Sequence, residues 1–171
     1  MELKTLSEIE IISAASSKIN EVDFENLTFG NVFTDHMLVC DYKDGAWQKP
    51  VIEPYAPFMI DPSSKVFHYG QAIFEGMKAY KDEQDDVWLF RPDENFHRFN
   101  KSASRMAMPE VPEDIFMGGL HKLLEIEKDW VKKGKGNTLY IRPFMIATGH
   151  GVIAAPSLEY RFMIILSPAR A

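Results

Sequence analysis

The sequence predicts an α+β domain, a mostly antiparallel sheet with helices packed against it. Apolar, strand-like segments joined by short turns occupy the first half and the end of the chain, and two amphipathic helical segments lie together between them. Helices clustered after hairpins favour an antiparallel sheet, because a parallel sheet would need helices alternating with strands. At 171 residues the chain is long enough to bury a sizeable core.

Residues 1–25 are predicted to form an N-terminal helical segment. Thr5 and Glu8 have the spacing of a capping box, in which two side chains satisfy the first backbone N–H groups of a helix. Isoleucines at 9, 11, 12 and 19 could line such a helix on one side. Residues 26–167 are predicted to be the domain itself.

The strands of the first half are predicted from apolar runs and turn signals. Residues 36–42 are rich in Met, Leu and Val, as a buried strand would be, and 47–52 would be the returning strand. Lys43-Asp44-Gly45 between them favours a hairpin turn, because glycine adopts the positive φ that such turns require. Residues 67–74 carry many rings and are predicted to be a buried loop leading into a strand at Met77.

The second half is predicted to hold two helices and two closing strands. Pro92 begins a helix with apolar residues recurring to Met106, and Pro112 begins another that ends at Gly134. Strands are expected at 138–148 and 160–167. Residues 168–171 have the composition of a linker, and we expect an interdomain linker to begin there.

Composition and charge narrow the function classes. A net charge of -6 argues against nonspecific nucleic-acid binding, which requires a basic surface. The single cysteine, Cys40, excludes an internal disulfide framework and favours a reducing compartment. The sequence has no secretory signal pattern and no apolar run of the roughly 20 residues that span a bilayer. We therefore expect a cytoplasmic protein without a membrane segment.

The common self-contained catalytic motifs do not occur. There is no Walker-type phosphate loop, no Gly-x-Gly-x-x-Gly motif and no Gly-x-Ser-x-Gly elbow. The five histidines show no paired ligand spacing and Cys40 has no neighbouring partner, so we expect no metal site.

Three groups of residues could bind an anion or an apolar substrate. Arg98, early in a helix, could hold a phosphate with two hydrogen bonds, or it could simply pair with Asp93 or Glu94. Tyr140 and Arg142 alternate on a strand, so they face one side and suit a carboxylate, although a sheet-edge arginine over solvent fits equally well. Rings at 29, 69 and 140 could form an aromatic wall or could belong to the core.

Taken in order, these segments resemble the branched-chain amino-acid aminotransferases, pyridoxal-phosphate enzymes of fold-type IV. The resemblance runs from about residue 20 to the end of the sequence. It is carried by Phe29-Gly30, Phe33 to Leu38, His68-Tyr69, Phe74 to Ala79, Leu89 to Pro92, Arg98, Lys128 to Trp130, and Leu139 to Pro143. Phe74-Glu75-Gly76 with a later Arg-Pro is common to fold-type IV, whereas Phe33 to Met37 and Tyr140 to Pro143 are more specific.

The resemblance assigns roles to individual residues. Arg98 matches the arginine that binds the cofactor phosphate, and Arg142 matches a residue that receives the second carboxylate of glutamate. The implied aromatic wall around an aliphatic substrate side chain consists of Phe29, Tyr69 and Tyr140. Loop 149–157 resembles a loop that reaches into the partner subunit's pocket, with Ile153-Ala154 where the family usually has Gly-Val. Ala154 is therefore an implied but altered substrate contact.

The implied reaction is transamination of leucine, isoleucine or valine with 2-oxoglutarate, by a homodimer. A lysine would hold pyridoxal phosphate as a Schiff base and then move the substrate proton. No lysine of this sequence matches it, so it is expected beyond Ala171, and the chain alone is expected to be inactive. The cofactor, pyridoxal phosphate, is expected in the full-length enzyme. The alternatives are a D-amino-acid aminotransferase, an aminodeoxychorismate lyase, or a non-catalytic dimerisation or binding module.

Overall fold

A computed structural model describes residues 8–170, and its framework is one nine-stranded sheet. The strands are β1 (Glu10–Ile11), β2 (His36–Lys43), β3 (Ala46–Trp47), β4 (Val51–Pro54), β5 (Ala72–Phe74), β6 (Met77–Lys81), β7 (Val87–Leu89), β8 (Asn137–Ala147) and β9 (Tyr160–Arg170). The helices are α1 (Lys65–Tyr69), α2 (Pro92–Arg105) and α3 (Gly119–Ile126). A π-helical turn, Asp114–Gly118, leads into α3, and a short 3₁₀ turn, Lys128–Trp130, follows it.

The sheet is almost entirely antiparallel, as predicted. Its strands are ordered β1-β4-β2-β9-β8-β6-β7, with β3 beside β2 and β5 beside β8. Only the short β1–β4 pair is parallel. The long β8–β9 hairpin forms its centre and pairs continuously from Asn137–Arg170 to Ala147–Tyr160. The fold class is therefore α+β.

One face of the sheet is covered by helices, and the main core lies between them. Leu139, Ile141 and Met145 alternate along β8 and are completely buried on this face. Phe116, which precedes α3, stacks on Phe162 of β9 with ring centroids 5.5 Å apart. Phe99 of α2 lies 5.5 Å from the same ring. The alternate, buried residues of the strands and the buried residues of α2 therefore pack into one shared core.

The opposite, open face of the sheet carries half-buried side chains. Tyr140, Arg142 and Phe144 occupy the alternate positions of β8 and are only partly covered. A small cluster of Met37, Val39 and Met163, with Phe144 and Ile165 against it, covers part of this face. This open face, away from the helices, is where the predicted substrate residues of β8 lie.

The predicted N-terminal helix is wrong over the described residues. Thr5 lies outside them, and from residue 8 the chain forms β1 parallel to β4, pairing Glu10 with Val51 and Ile11 with Ile52. A single 3₁₀ turn, Ile19–Glu21, follows. Capping residues and isoleucines suit a short edge strand as well as a helix, and the apolar partner on β4, about 40 residues away in sequence, decides between them.

The N-terminal segment is held to the domain by a polar cluster. The backbone N–H of Ala14 donates to His36 Nε2 (2.9 Å), so Nδ1 carries the ring proton and donates to the buried carboxylate of Glu127. Asp35 accepts from Lys18 N–H (2.8 Å), Ser17 Oγ (2.5 Å) and Trp130 Nε1 (3.0 Å). Burial raises the pKa of the Glu127 carboxyl, and the hydrogen bonds from His36 and Asp35 only partly oppose this.

Two other predictions fail. Residues 168–170 continue β9 in register with β8, because Leu139 and Thr138 pair with Pro168 and Ala169, so a linker does not begin at residue 168. The rings between 67 and 74 are not buried: Phe67 and Phe74 are 60% and 64% exposed. This stretch contains α1, Gly70 in the left-handed region (φ 62°) and strand β5.

The hairpin at residues 43–45 and the helix beginning at Pro92 are confirmed. Tyr42 and Lys43 pair with Trp47 and Ala46, and the two turn residues, Asp44 and Gly45, have φ of 54° and 75°. Two successive positive φ angles define the turn that matches strand twist, and glycine adopts them without steric cost. The second predicted helix is broken into the π turn, α3 and the 3₁₀ turn.

Candidate active site

Tyr140 and Arg142 face the same side of β8, as the alternation predicted, and they contact each other. Arg142 Nη2 donates to the Tyr140 hydroxyl oxygen at 2.7 Å. The guanidinium carbon lies 4.4 Å from the ring centroid of Phe74 on the neighbouring strand β5. Arg142 Nε is buried and has no hydrogen-bond partner among the described residues. The pair therefore places a cation between two rings with one donor still unused.

Phe29 joins this group, whereas Tyr69 does not. The Phe29 ring packs edge-to-face on Tyr140, with centroids 5.0 Å apart and planes at 79°, and it is 61% exposed. Tyr69, on α1, instead donates its hydroxyl to the backbone carbonyl of Val152. The structure thus brings two of the three predicted wall residues together, and Phe74 supplies a ring that the sequence interpretation did not assign.

Close packing of Tyr140 explains the glycine at position 76. A Cβ built on Gly76 would lie 2.3 Å from the Tyr140 hydroxyl oxygen, well inside contact distance. Lys78, two residues later, pairs directly with Tyr140 across β6 and β8. The Phe74-Glu75-Gly76 motif therefore lets the backbone pass directly beside the phenol.

Arg98 is held by Glu75, 23 residues earlier, rather than by its helix neighbours. Its Nε and Nη2 donate to the two carboxylate oxygens of Glu75 at 2.5 and 2.6 Å. Asn95 donates to the same carboxylate at 3.0 Å. Burial of Glu75 raises the pKa of its carboxyl, but these hydrogen bonds and the Arg98 charge outweigh burial and leave the pKa below its usual value.

This ion pair fixes the guanidinium while leaving it accessible. Glu75 is 6% exposed and the Arg98 side chain is 64% exposed. Two of its five N–H groups face Glu75, and the remaining N–H groups are available to an anion. An exposed ion pair with Glu94, one of the alternatives for Arg98, is formed instead by Arg91, at a distance of 2.7 Å.

Ala154 and Tyr69 border a cleft on the same side of α1. The cleft has a volume of about 410 Å³ and is lined by Tyr69, Gln71, Met106, Ala107, Ala154, Ala155 and Pro156. Two larger surface clefts, of about 650 and 610 Å³, contain none of the predicted site residues. Of the three clefts, the smaller one is therefore the one bordered by predicted site residues, Tyr69 and Ala154.

Known proteins similar to this chain are aminotransferases. Branched-chain-amino-acid transaminase 1 of Bacillus subtilis is 54% identical over 147 residues, which is 85% of this chain and 41% of that protein. Branched-chain-amino-acid aminotransferase 2 of the same organism is 47% identical over 158 residues, and the Mycolicibacterium smegmatis enzyme is 43% identical over 159 residues. The chain is a part-length homologue of the branched-chain aminotransferases. It spans about two fifths of the length of these relatives.

Solved structures of the same family share the fold. The branched-chain aminotransferase of Thermoproteus uzoniensis, crystallised with norvaline, superposes with a TM-score of 0.59 at 18% identity, over 78% of this chain and 41% of that one. The enzyme of Escherichia coli gives a TM-score of 0.54 at 20% identity, over 77% of this chain and 40% of that one. At these identities the likeness establishes the fold alone. No protein-family model matches the chain.

Two further observations concern other kinds of site. Within residues 8–170, no group of three or more His, Cys, Asp or Glu side chains is arranged to hold a metal ion. In the same residues, no helix is both long and apolar enough to cross a membrane.

The residues missed from sequence are those whose partners lie far along the chain. Glu75 orients Arg98, and Phe74 packs on Arg142, yet both belong to the motif that was recognised. Phe74 ends β5 and Glu75 follows it, and the alternation of side chains expected there was the signal in the sequence that could have identified them.

Proposed function

We propose that this chain forms the substrate-side part of a pyridoxal-phosphate-dependent branched-chain aminotransferase. The enzyme would transfer the amino group of leucine, isoleucine or valine to 2-oxoglutarate. The observation that carries the proposal is the Tyr140–Arg142 pair, enclosed by the Phe29 and Phe74 rings on the open sheet face. The homology of the chain to branched-chain aminotransferases supports it.

This arrangement suits two kinds of substrate side chain. The exposed faces of Phe29 and Phe74 offer apolar area, which favours an aliphatic group at about 25 cal/mol per Å² buried. Arg142 offers the positive charge of its half-buried guanidinium for the second carboxylate of glutamate or 2-oxoglutarate. One pocket can thus accept an apolar and a dianionic substrate in turn.

The residues present also fit the cofactor. Arg98 is exposed, charged at all relevant pH and held rigid by Glu75, which are the properties needed to bind a phosphate ester. When bound, pyridoxal phosphate supplies an electron sink for proton removal next to the substrate amine. Arg98 would hold its phosphate, and Tyr140 and Arg142 would orient the substrate. No lysine of the chain matches the expected catalytic lysine, so the chain alone is predicted to lack transaminase activity.

The assembly and location follow from the same proposal. We expect a homodimer, and the 60–72% exposure of Phe67, Val152 and Ile153 supports a face that is covered in a larger assembly. We expect the enzyme to act in the cytoplasm on free amino and 2-oxo acids.

Replacing Arg142 tests the proposed function in the complete enzyme. Arg142→Met should raise KM for glutamate and 2-oxoglutarate by roughly a hundredfold, the value of a charge-assisted pair, with a much smaller effect on leucine. Arg105→Met, at the exposed end of α2, is the matched control and should change neither. An equal loss for leucine and glutamate would overturn the role of Arg142. Preference for D-amino acids, or lyase activity, in the wild-type enzyme would favour the other fold-type IV alternatives.

A further inference from the structure

Two segments that lie outside the proposed active site meet beside the N-terminal residues. His36, at the start of β2, belongs to the stretch Phe33 to Leu38, and Glu127 directly precedes the stretch Lys128 to Trp130. Their side chains contact each other, although they are 91 residues apart in sequence. The Glu127 side chain is 2% exposed and that of His36 is 12% exposed, so water has little access to either group.

The His36 ring connects the N-terminal residues to this buried carboxylate. Its Nε2 accepts a hydrogen bond from the Ala14 N–H at 2.9 Å, and its Nδ1–H donates to Glu127 Oε1. The second carboxylate oxygen, Oε2, accepts from the Asp35 N–H at 3.3 Å. A neutral ring beside a charged carboxylate satisfies all three contacts, because each acceptor atom then faces one N–H group.

One additional proton on this pair places two donors face to face. A proton on His36 goes to Nε2, the nitrogen that accepts from Ala14, and turns this acceptor into a second donor. A proton on Glu127 Oε1 meets the N–H of Nδ1, and the ring can accept it only by moving its own proton to Nε2. Imidazole is more basic than a carboxylate, so the contact between Nε2 and Ala14 is the one that is lost. Burial raises the pKa of the Glu127 carboxyl, which adds to the tendency of the pair to take up a proton.

The charges packed around the ring favour this proton uptake. Glu127 faces Nδ1 directly and Asp35 precedes His36 in the chain, so both carboxylates favour a positive imidazolium, and Lys18 beside Asp35 opposes it. Burial alone would raise the pKa of Asp35, but the hydrogen bonds that it accepts, first those from the Lys18 N–H and Ser17 Oγ, leave that pKa below its usual value. Asp35 therefore stays charged, and keeps its hydrogen bond with Lys18, at a pH that protonates a histidine.

The Ala14–His36 bond holds a short connection between two other anchors. On one side, the Ile12 N–H donates to the Ile52 carbonyl at 2.8 Å. On the other, the Lys18 N–H donates to Asp35 at 2.8 Å. Between these anchors Ser13, Ala15 and Ser16 are exposed, and within residues 8–170 the bond to His36 is the only hydrogen bond that residues 13–16 form. Loss of this bond therefore frees the connection.

We propose that the His36–Glu127 pair is a pH-sensitive switch that releases residues 13–16. At neutral pH the His36 ring accepts from Ala14 and the connection lies against the domain. One proton turns the Nε2 acceptor into a donor, and the connection comes free while the anchors at Ile12 and Lys18 stay in place. The switch shares no residue with the Tyr140–Arg142 pair, and it does not depend on the proposed transaminase function.

Amide hydrogen exchange of the full chain, followed by NMR, tests the switch. The measured quantity is the protection factor, the exchange rate of an unstructured peptide at the same pH divided by that of the protein. The Ala14 protection factor should fall roughly tenfold between about pH 7.5 and 5.5, as expected for one lost hydrogen bond in the range where histidine titrates. That of Lys18, held by Asp35, should stay constant. A constant Ala14 value, or equal falls at Ala14 and Lys18, would overturn the proposal.

Two variants assign the pH dependence to the pair. His36→Gln keeps a carbonyl acceptor but takes up no proton, so the Ala14 protection factor should no longer change over this pH range. Glu127→Gln removes the negative charge that favours the imidazolium, so release should move to lower pH by roughly one unit. His97→Gln, at an exposed position of α2, is the control and should keep the wild-type profile. A wild-type profile in either His36→Gln or Glu127→Gln would overturn the switch, and each variant decides alone if the other does not fold.

Discussion

Gly76, the residue before β6, lies so close to Tyr140 of β8 that a Cβ on Gly76 would be 2.3 Å from the Tyr140 hydroxyl oxygen. Tyr140 in turn accepts the Arg142 hydrogen bond and packs on Phe29. Because Gly76 has no Cβ, Tyr140 can lie where it contacts both Arg142 and Phe29. Two ideas follow: the glycine is needed for space, and its replacement should act through Tyr140.

Gly76→Ala should destabilise the fold by about 1–3 kcal/mol, because the added methyl forces the tyrosine to move. In a Tyr140→Ala background the same change should cost far less, since nothing then occupies the space. Urea unfolding of the four proteins of this cycle measures the coupling. Equal costs in both backgrounds would show that the backbone, rather than Tyr140, requires glycine.

Glu75→Gln should remove a pH-dependent part of the stability. The folded-state pKa of Glu75 lies below its usual value of about 4.3, so its contribution is complete above that pH and is lost as pH falls through the folded pKa. The variant should therefore unfold at lower urea than wild type at pH 7, and the difference should shrink towards pH 3. Glu94→Gln, which alters an exposed ion pair, is the control and should change little at either pH.

The sequence predicted those parts of the fold and site that depend on residues close together in the chain. The turn at Asp44-Gly45 and the shared side of Tyr140 and Arg142 depend on neighbours one or two residues apart, and both are confirmed as geometry. The Arg98–Glu75 pair joins residues on different elements, so helix-surface neighbours looked like better partners. The N-terminal segment failed for the same reason, since its partners on β4 lie far along the chain.

Cys40 should be inert while the protein is folded. Burial raises the pKa of its thiol to about 12, and the charges of Asp41 and Asp114 add to the effect. The nucleophile is the thiolate, so almost none is present at pH 8. A disulfide reagent should detect no thiol in the native chain and one after unfolding in guanidinium. Ser16→Cys adds an exposed thiol and should react at once. Rapid reaction of the native wild-type chain would contradict the burial of Cys40.

Asp35→Asn should release the N-terminal segment. The carboxylate accepts hydrogen bonds from Ser17 Oγ, the Lys18 N–H and Trp130 Nε1, and an amide of the same shape would turn an NH₂ group towards at least one of these donors. We expect a loss of about 1–3 kcal/mol, the cost of leaving buried polar groups unpaired. Trypsin cleavage after Lys18 should become faster, because the backbone there loses its anchor.

Ser17→Ala separates the role of the carboxylate from that of the surrounding hydrogen bonds. It removes one donor and leaves the Lys18 and Trp130 bonds to Asp35 in place, so its effect on stability and on cleavage after Lys18 should be smaller than that of Asp35→Asn. The rates of appearance of the cleaved chain, measured by mass spectrometry, compare the two variants directly. If both variants are cleaved at the wild-type rate, then Asp35 does not hold residues 14–18 to the domain, and the parallel pairing of β1 with β4 alone must anchor them.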